Sequence, residues 1–474
     1  MSNVETSYIQ ERKYQSNLLS ILVDINKKTS IRPPVLIELD CGMGKRIISY
    51  LITNKYFPNK KVLIILQATS SLDETADFFI NKYNTNIGIL SSRIPSKYRL
   101  QILRENRIIL TTPQTLGNTI TQASSNDLNI DIILINEVDK IIRRTATRRT
   151  LIFPYPKIIE FFSTTWIIGL SGTLRDSHII ITDKIRIVEE LQTLAENLPD
   201  VRIISMEEII AGDENYNSYI NKTILKIFPV KDYEIEELLR NLDGLIKKYR
   251  KTIIQIAREE NIISETQKNL ALIAGQLPVD SDLTGKYNAL LMVRKHITGM
   301  LPFKWKRFLK KFPDFDHSYI DQLSNYSSKI QDLKQIIDKE LSTESAKKVI
   351  IMVSYINTGE TIKNYFKKLH FESYMISGQV LDKSQVINEF RKSQVDSVLI
   401  MTMVGERDLD IPESKLIIVY DSINTLKTMY QRFKRTRGGS VVCLCYENTS
   451  EQMKIKRILN GIKEKYPWSV SFEE

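Results

Sequence analysis

Short apolar runs alternate with amphipathic segments through the first part of the chain. The runs are KVLIIL (61–66), RIILTT (107–112), DIILIN (131–136) and WIIGLS (166–171). Parallel strands that are buried on both faces appear as nearly continuous apolar runs, and the segments between them form crossover helices. The pattern therefore predicts an α/β domain with a parallel sheet, which we assign to residues 1–215.

The pattern changes twice further along the chain. From 216 to 345, long segments carry apolar residues at i, i+3, i+4 spacing without strand-like runs between them, which predicts a helical insertion. The alternation resumes with KKVIIMVS, FESYMIS, DSVLIMT, KLIIVYD and SVVCLCY, so a second α/β domain is expected over 346–474. The predicted fold class is α/β, with two parallel-sheet domains and a helical insertion between them.

The net charge, the cysteines and the histidines limit which partners, compartments and metal sites are expected. The 474 residues carry a net charge of +11, which favours a polyanionic partner. No apolar run approaches membrane-spanning length and the first residues are polar, so a cytoplasmic protein is expected. Cys443 and Cys445 alternate on a predicted strand and are interpreted as core residues. The four histidines form no spaced ligand set, and no metal site is predicted.

A candidate phosphate-binding loop lies before these runs, after the apolar stretch that starts at Val35. The stretch VLIELDCGMGKRIISYLI (35–52) predicts a strand, a loop with Gly42, Gly44 and Lys45, and a helix. Such a loop needs a hydroxyl after the lysine to hold Mg²⁺, but that position is Arg46. Taken alone, the stretch is equally consistent with an ordinary glycine-bearing turn.

Further motifs follow the loop in a characteristic order. They are Tyr14-Gln15, LQATSSL (66–72), TTPQTLGN (111–118), NEVD (136–139), SGT (171–173), ISGQ (376–379), TMVGERDLDIPE (402–413) and QRFKRTRGG (431–439). In order and spacing the set resembles the superfamily 2 DNA helicases, most closely the archaeal Hef and Fanconi-anaemia M branch. The resemblance covers essentially the whole chain.

The resemblance implies two RecA-like domains with a DNA-gripping thumb between them, and it assigns roles to the motif residues. Implied nucleotide contacts are Gln15, Gly42, Gly44, Lys45, Asp410 and Gln431, implied catalytic residues are Glu137 and Arg435, and implied DNA contacts are Thr69, Thr112, Pro113 and Gln114. Family members use ATP to remodel branched DNA, and the archaeal form carries an XPF-type nuclease. We expect no room for that nuclease in this chain, so a separate chain would supply it.

Four departures from the family pattern surround the implied nucleotide cleft. Arg46 replaces the hydroxyl, Asn136 replaces a metal-binding carboxylate, Asp408 replaces a glycine and Gly438 replaces an arginine. An amide beside a guanidinium is a poor Mg²⁺ site. We therefore expect that hydrolysis is lost and that no cofactor is required, with ATP bound at most without Mg-dependent turnover. We also hypothesise that Arg46 pairs with Glu137 or Asp139 and supplies the missing positive charge.

The insertion contains a run in which basic and aromatic residues interleave, PFKWKRFLKKF (302–312). Its basic residues are Lys304, Lys306, Arg307, Lys310 and Lys311. The plainer interpretation is a helix that packs its aromatics and leaves its lysines in water. Within a thumb-like insertion, the same residues would hold a phosphate backbone.

These observations leave three functional hypotheses. The first is an inactive, Hef-like protein that binds branched or single-stranded DNA as an accessory factor in DNA repair or fork processing. The second is a slow ATP-dependent DNA helicase or translocase that relies on Lys45, Glu137, Gln15 and Arg435. The third is a protein-interaction scaffold that does not bind DNA.

Overall fold

The computed structural model describes most of the chain. The described residues are 10–28, 32–40, 42–144, 149–175, 177–181, 185–198, 200–216, 222–263, 270, 274–312, 315–402, 414–421, 429–430, 433–434, 436 and 438–473. The chain divides into two compact units, Met1–Tyr219 and Ile220–Glu474.

The first unit is built on a seven-stranded parallel sheet in the order β11-β1-β8-β5-β2-β4-β3. Its strands are β1 Val35–Glu38, β2 Val62–Ile65, β3 Gly88–Leu90, β4 Ile108–Thr111, β5 Ile132–Asn136, β8 Trp166–Ser171 and β11 Arg202–Ile204. Two antiparallel ribbons accompany it, β6 Ile142–Arg144 with β7 Arg149–Leu151, and β9 Ser177–Ile181 with β10 Ile185–Glu189.

Helices connect these strands. They are α1 Lys13–Lys28, α2 Lys45–Leu51, α3 Thr69–Asp77, α4 Ser96–Glu105, α5 Pro113–Thr119, α6 Ser125–Leu128, α7 Tyr155–Phe161, α8 Glu190–Asn197 and α9 Met206–Ile210. Helices α2 and α3 each continue into a π-helical turn, Ile52–Tyr56 and Phe78–Lys82. The residues of β1, β2, β4 and β8 are all buried, which explains their uninterrupted apolar runs.

The second unit has its own seven-stranded parallel sheet in the order β14-β15-β13-β16-β17-β12-β18. Its strands are β12 Thr223–Val230, β13 Lys348–Val353, β14 Glu372–Ile376, β15 Ser397–Thr402, β16 Leu416–Val419, β17 Ser440–Tyr446 and β18 Val470–Glu473. Its helices are α10 Tyr233–Glu259, α11 Ser281–Gly299, α12 Pro302–Leu309, α13 His317–Gln322, α14 Ser328–Glu340, α15 Ile356–Lys368, α16 Lys383–Lys392 and α17 Ser450–Lys465.

The predicted α/β class with two parallel-sheet domains is confirmed. Each of the nine apolar runs named above contains a strand of one of the two sheets. The prediction that no strand lies between 216 and 345 is wrong, because β12 pairs with both β17 and β18. Within the described residues, the other regular elements of that segment are helices, from α10 to α14. The division of the chain into three domains remains a prediction.

Strand β12 was missed because its sequence carries mixed signals. The strand TILKIFPV contains Lys226 and Pro229 and its burial is uneven. Pro229 has no amide hydrogen for a sheet ladder, so a proline is tolerated where a strand has a neighbour on one side only. Pro229 pairs in register with Cys445 of β17, while β18 accompanies only Thr223–Lys226.

No helix within the described ranges is both long enough and apolar enough to cross a membrane.

Candidate nucleotide and nucleic-acid sites

The glycine-rich loop lies at the carboxyl edge of the first sheet. Gly42 and Gly44 have φ values of +83° and +76°, a backbone region that glycine occupies without strain. A Cβ on Gly44 would lie 3.3 Å from the Gln15 side-chain nitrogen. Strands β1, β8 and β5 are neighbours, so the residues that follow them meet at one edge. The loop thus has the backbone shape that closes on phosphate oxygens.

Lys45 and Glu137 form the central ion pair of this edge. Lys45 Nζ lies 2.6 Å from Glu137 Oε1, and both side chains are largely buried. Glu137 has a φ of +55°, which is uncommon for a residue other than glycine and costs of order 1–3 kcal/mol. The structure therefore brings together the predicted phosphate-binding lysine and the predicted catalytic carboxylate.

The hypothesis that Arg46 pairs with Glu137 or Asp139 is wrong. The guanidinium of Arg46 forms an ion pair with Glu74 on α3, and both side chains are more than a third exposed. Asp139 is buried and accepts hydrogen bonds from Ser171 Oγ at 2.5 Å and Thr173 Oγ1 at 3.2 Å. Arg46 is the second residue of α2. From this position its guanidinium contacts Glu74 on α3.

Asn136 ends β5 beside this pair. Its backbone carbonyl accepts a hydrogen bond from Gln67 Nε2 at 2.9 Å, and its buried side-chain Oδ1 has no partner among the described residues. Mg²⁺ prefers carboxylate oxygens and octahedral geometry. With an amide at 136 and an arginine at 46, the donor set does not fit Mg²⁺. Within the described ranges, no cluster of three His, Cys, Asp or Glu residues could hold a metal ion.

Helix α1 is hydrogen-bonded to the glycine-rich loop. Tyr14 donates its hydroxyl to the Met43 carbonyl at 3.0 Å, and its amide donates to Asp213 Oδ2. Burial raises the pKa of Tyr14, so the hydroxyl remains a donor. Gln15 is buried, and its Oε1 accepts the Arg12 amide at 2.9 Å. Its implied role in reading adenine remains a prediction.

The implied DNA contacts of the first unit lie at the same edge of the sheet. Thr69 is the exposed first residue of α3, after β2, and Thr112 precedes α5, after β4. Strands β2 and β4 pair in parallel, so both positions lie at one edge. Pro113 is buried at the first turn of α5, while Gln114 is exposed. Thr112 Oγ1 lies 2.9 Å from Thr115 Oγ1. Thr69 and Gln114 offer the most accessible polar side chains.

The predicted basic surface of the insertion is only partly formed. Helix α12 buries Trp305 and exposes Arg307, while Lys310 and Lys311, directly after it, are also exposed. Lys306 must be excluded, because its side chain is buried and its ammonium donates to the Leu323 carbonyl and to Asn325 Oδ1. Burial also lowers the pKa of Lys306.

Lys310 is also engaged, since its ammonium lies 2.5 Å from Asp321. Lys304 is half-buried and lies over the ring of Phe303, at 5.4 Å from the centroid. Lys311 lies over the ring of Phe308, again at 5.4 Å. Lys304, Arg307 and Lys311 are therefore the cations of this run without a carboxylate partner among the described residues.

Several predicted residues of the second unit lie outside the described residues, namely Asp408, Asp410, Gln431 and Arg435. Gly438 is described and has a φ of +92°. A side chain at that position would be strained, so the backbone has adapted to glycine where the family has arginine. The same segment is anchored by Thr436, whose Oγ1 lies 2.9 Å from Thr223 Oγ1 of β12.

One ion pair near the loop, between Arg175 and the buried Glu38, was not predicted from the sequence. Glu38, the last residue of β1, is buried and accepts two hydrogen bonds from Arg175, at 2.6 and 2.7 Å. It also accepts the Met206 amide at the start of α9. The only available signal was a glutamate at the end of an otherwise apolar strand.

Comparisons with known proteins agree with this fold. Residues 8–176 match the family described as Type III restriction enzyme, res subunit, and residues 328–439 match the helicase conserved C-terminal domain. The crystal structure of the Pyrococcus furiosus Hef helicase domain superposes with a TM-score of 0.65 at 17% identity, covering 95% of this chain and 98% of that one. The chain is therefore a superfamily 2 helicase-fold protein.

Several curated relatives are named as DNA helicases, and one, from Methanocaldococcus jannaschii, is named as a putative ATP-dependent RNA helicase. The ATP-dependent DNA helicase fml1 of Schizosaccharomyces pombe is 22% identical over 93% of this chain and 57% of its own length. The ATP-dependent DNA helicase mph1 of Aspergillus fumigatus is 22% identical over 89% of this chain and 44% of its own length. The chain is homologous to both, and it spans about half the length of these relatives.

Proposed function

We propose that this chain is a helicase-fold protein that binds single-stranded or branched DNA and does not hydrolyse ATP. The observation that carries the proposal is the state of the two metal-binding positions. One is an amide, Asn136, and the other is Arg46, whose guanidinium pairs with Glu74. In phosphoryl transfer the metal bridges and neutralises the phosphates, and neither side chain can hold it.

The pairing of Lys45 with Glu137 supports the same conclusion. Lys45 Nζ lies 2.6 Å from Glu137 Oε1, so each of these partly buried side chains already has a counter-ion. A phosphate that enters the loop competes with Glu137 for the Lys45 ammonium, and Glu137 then lies beside added negative charge without a metal between them. Binding of nucleotide is thus opposed by electrostatics, although the loop backbone itself fits a phosphate.

Two surfaces support DNA as the ligand. The first unit presents Thr69 and Gln114 at the carboxyl edge of its sheet, and the second presents Lys304, Arg307 and Lys311 on and just after α12. Hydroxyls, amides and cations of this kind contact the phosphate backbone without reading sequence. The relatives named as DNA helicases point to the same substrate class. We further propose, from the family resemblance alone, a role in DNA repair or fork processing with a separate XPF-type nuclease.

DNA-stimulated ATP hydrolysis tests the proposal directly. The natural protein should show no turnover above background. The double reversion Arg46→Thr with Asn136→Asp rebuilds both metal contacts and should restore measurable turnover. The matched control adds Lys45→Ala to the double reversion, and any restored activity should disappear because the phosphate-binding lysine is gone.

Robust turnover by the natural protein would overturn the proposal. The alternative, a slow ATP-dependent DNA helicase, would then rely on the retained residues Lys45 and Glu137 and on the phosphate-binding backbone of the loop.

Binding to a single-stranded oligonucleotide at several salt concentrations tests the DNA surface. Affinity should fall as salt rises, and Arg307→Gln with Lys311→Gln should flatten the slope by about 0.7 for each phosphate contact removed. Lys415→Gln, which removes an exposed charge that pairs with Glu344, serves as the control. Absence of binding at low salt would favour the scaffold hypothesis.

A further inference from the structure

A cavity of about 290 Å³ lies within the second unit, between the turn that joins α11 to α12 and the turn that joins β13 to α15. Six of its lining residues carry the argument: Met300, Leu301, Lys304, Tyr355, Asn357 and Thr358. Small-molecule pockets usually start at about 300 Å³. The cavity is therefore large enough for one ring system but not for a whole nucleoside triphosphate.

The close approach of the two turns depends on Gly299. A Cβ at Gly299 would lie 2.7 Å from Asp421 Oδ2 and 2.9 Å from the Tyr355 ring. Thr358 Oγ1 donates to the Gly299 carbonyl at 2.9 Å and joins the two turns. These contacts hold the two turns that carry Met300 and Tyr355 in place. The cavity is thus a formed feature of the fold.

Some polar groups around the cavity already have hydrogen-bond partners in the protein, and others do not. Ser354 donates its amide and its hydroxyl to the Asp421 carboxylate, at 2.7 and 2.9 Å. By contrast, the side-chain amide of Asn357 is exposed and makes no hydrogen bond to another described residue. The Lys304 ammonium has no carboxylate partner among the described residues. The first amides of α15 also lack intrahelical acceptors. A ligand would meet an apolar wall, an amide and one cation.

The surface beside the cavity interleaves aromatic rings and cations. Phe303 and Phe308 on α12 are 49% and 37% exposed, although phenylalanine is normally buried. Lys304 and Lys311 lie over these rings, and Arg307 is exposed between them. Exposed aromatic rings among cations are typical of surfaces that bind single-stranded nucleic acid by base stacking and phosphate contact.

A third aromatic group supports this surface from behind. The His296 ring lies 4.6 Å from Phe308 and 5.9 Å from Tyr355, measured between centroids. Burial, together with the charge of Lys295, lowers the pKa of His296, so the ring is neutral at pH 7. Tyr355 of the cavity and the exposed Phe308 therefore belong to one aromatic cluster.

We infer that the cavity binds one unstacked base of a single-stranded DNA, with the adjoining phosphate on Lys304 and neighbouring bases stacked on Phe303 and Phe308. The inference rests on the proposed DNA binding and specifies its chemistry. Tyr355, Met300 and Leu301 contact the faces of the base, and the Asn357 amide donates to or accepts from its edge. Extruding a base is least costly in a strand that is already single.

The test compares two fluorescent oligonucleotides of equal length and charge, one of thymidines and one in which every sugar is abasic. The natural protein should bind the thymidine strand at least about fivefold more tightly, the lower end of the effect of one stacked base. Asn357→Trp, which fills the cavity mouth from an exposed position, should reduce this preference to the share that comes from the bases stacked on Phe303 and Phe308, and it should leave the affinity for the abasic strand unchanged. Met300→Trp, on the turn between α11 and α12, should do the same.

The matched control is Glu360→Trp, on the exposed surface of α15 outside the cavity lining, and it should keep the preference. Equal binding of the two strands by the natural protein would overturn the inference while leaving phosphate-based DNA binding intact. A preference that neither cavity-filling variant reduces would overturn it as well. Failure to bind either strand at low salt would reject the proposed DNA binding itself.

Discussion

Lys329 is a charged side chain with no exposed surface. Its ammonium lies 3.0 and 3.1 Å from the two carboxylate oxygens of Glu451 and donates to the Thr298 carbonyl at 3.0 Å. It also lies over the Tyr446 ring. Since Lys329 belongs to α14 and Glu451 to α17, the pair joins a helix of the segment predicted as an insertion to the last helix of the unit.

Replacing Lys329 with methionine should destabilise the protein by about 3–5 kcal/mol, because Glu451 is left buried without a counter-charge. The double variant Lys329→Met with Glu451→Gln should recover most of this loss. Urea unfolding of the two variants measures the difference. Lys415→Met, which breaks an exposed pair with Glu344, should cost less than about 1 kcal/mol. Equal losses in the buried and the exposed pair would contradict the argument.

The two strand cysteines behave as the sequence predicted. Cys443 and Cys445 are buried on β17, and burial raises the pKa of the Cys445 thiol to about 12 and that of Cys443 further. Both thiols stay protonated at neutral pH, and the thiolate is the reactive form. An alkylating reagent should therefore leave both unmodified in the folded protein from pH 7 to 9 and label both in denaturant. Peptide mapping by mass spectrometry reads the two sites separately, and labelling of either in the folded protein would contradict the burial.

Arg46 and Lys45 show how far residue identities can be interpreted without a structure. The sequence predicted which positions surround the loop, and the Lys45–Glu137 contact follows from two strands ending at one edge. It did not predict Glu74 as the partner of Arg46, because that choice depends on where α3 lies beside α2. Lys306 was misassigned for the same reason, since its acceptors, Leu323 and Asn325, lie in a later turn.

At the scale of elements, α10 is the longest helix in the described part of the chain. Asp232 caps its start by accepting the Ile235 amide at 3.1 Å, and a stripe that includes Leu238, Leu242 and Ile246 is buried along its length. The helix also contains Gly244, which is exposed and has no atom within 4 Å of the place where a Cβ would stand.

Gly244→Ala should stabilise the protein by about 0.5–1 kcal/mol, because a glycine inside a helix loses more backbone entropy than alanine. The change should appear as a higher urea midpoint with an unaltered slope. Gly299→Ala, the matched change in α11, should act in the opposite direction, since its Cβ would meet Asp421 and Tyr355 at less than 3 Å. Stabilisation by both substitutions would show that helix propensity alone decides the outcome.

Strand β12 marks the limit of pattern-based prediction at this scale. Helices and the fully buried strands were predicted because their signals are local, with an apolar repeat or an apolar run. The partners of β12 lie more than 200 residues away, on β17 and β18, and no local pattern encodes that pairing. The helical segments around it were still predicted correctly, because their 3.6-residue period does not depend on distant partners.

At the scale of the whole molecule, the second sheet is assembled from both ends of its unit. Strand β12 stands between β17 and β18, and within the described residues β18 pairs with no other strand of the sheet. A fragment of residues 220–474 contains every strand of this sheet and should fold alone, with a cooperative thermal transition by circular dichroism. A fragment of residues 346–474 lacks β12 and Lys329 and should not.

A fragment of 346–474 that unfolds cooperatively near the midpoint of the longer fragment would contradict this expectation. It would instead support an independent last domain, as the sequence pattern first suggested. The comparison thereby also tests the predicted three-domain division, which depends on whether 216–345 can be separated from the sheet.

The position of β12 has one more consequence. Thr223, its first residue, is in register with Val470, the first residue of β18. Neighbouring strands lie about 5 Å apart, so the place where the polypeptide enters this unit and the place where its final strand begins are adjacent. Strand β18 continues for three residues beyond Val470, to Glu473 opposite Lys226. In a fragment of residues 220–474, a linker of about five residues would therefore be enough to join Glu473 back to Thr223 and allow the fragment to be opened at a new point.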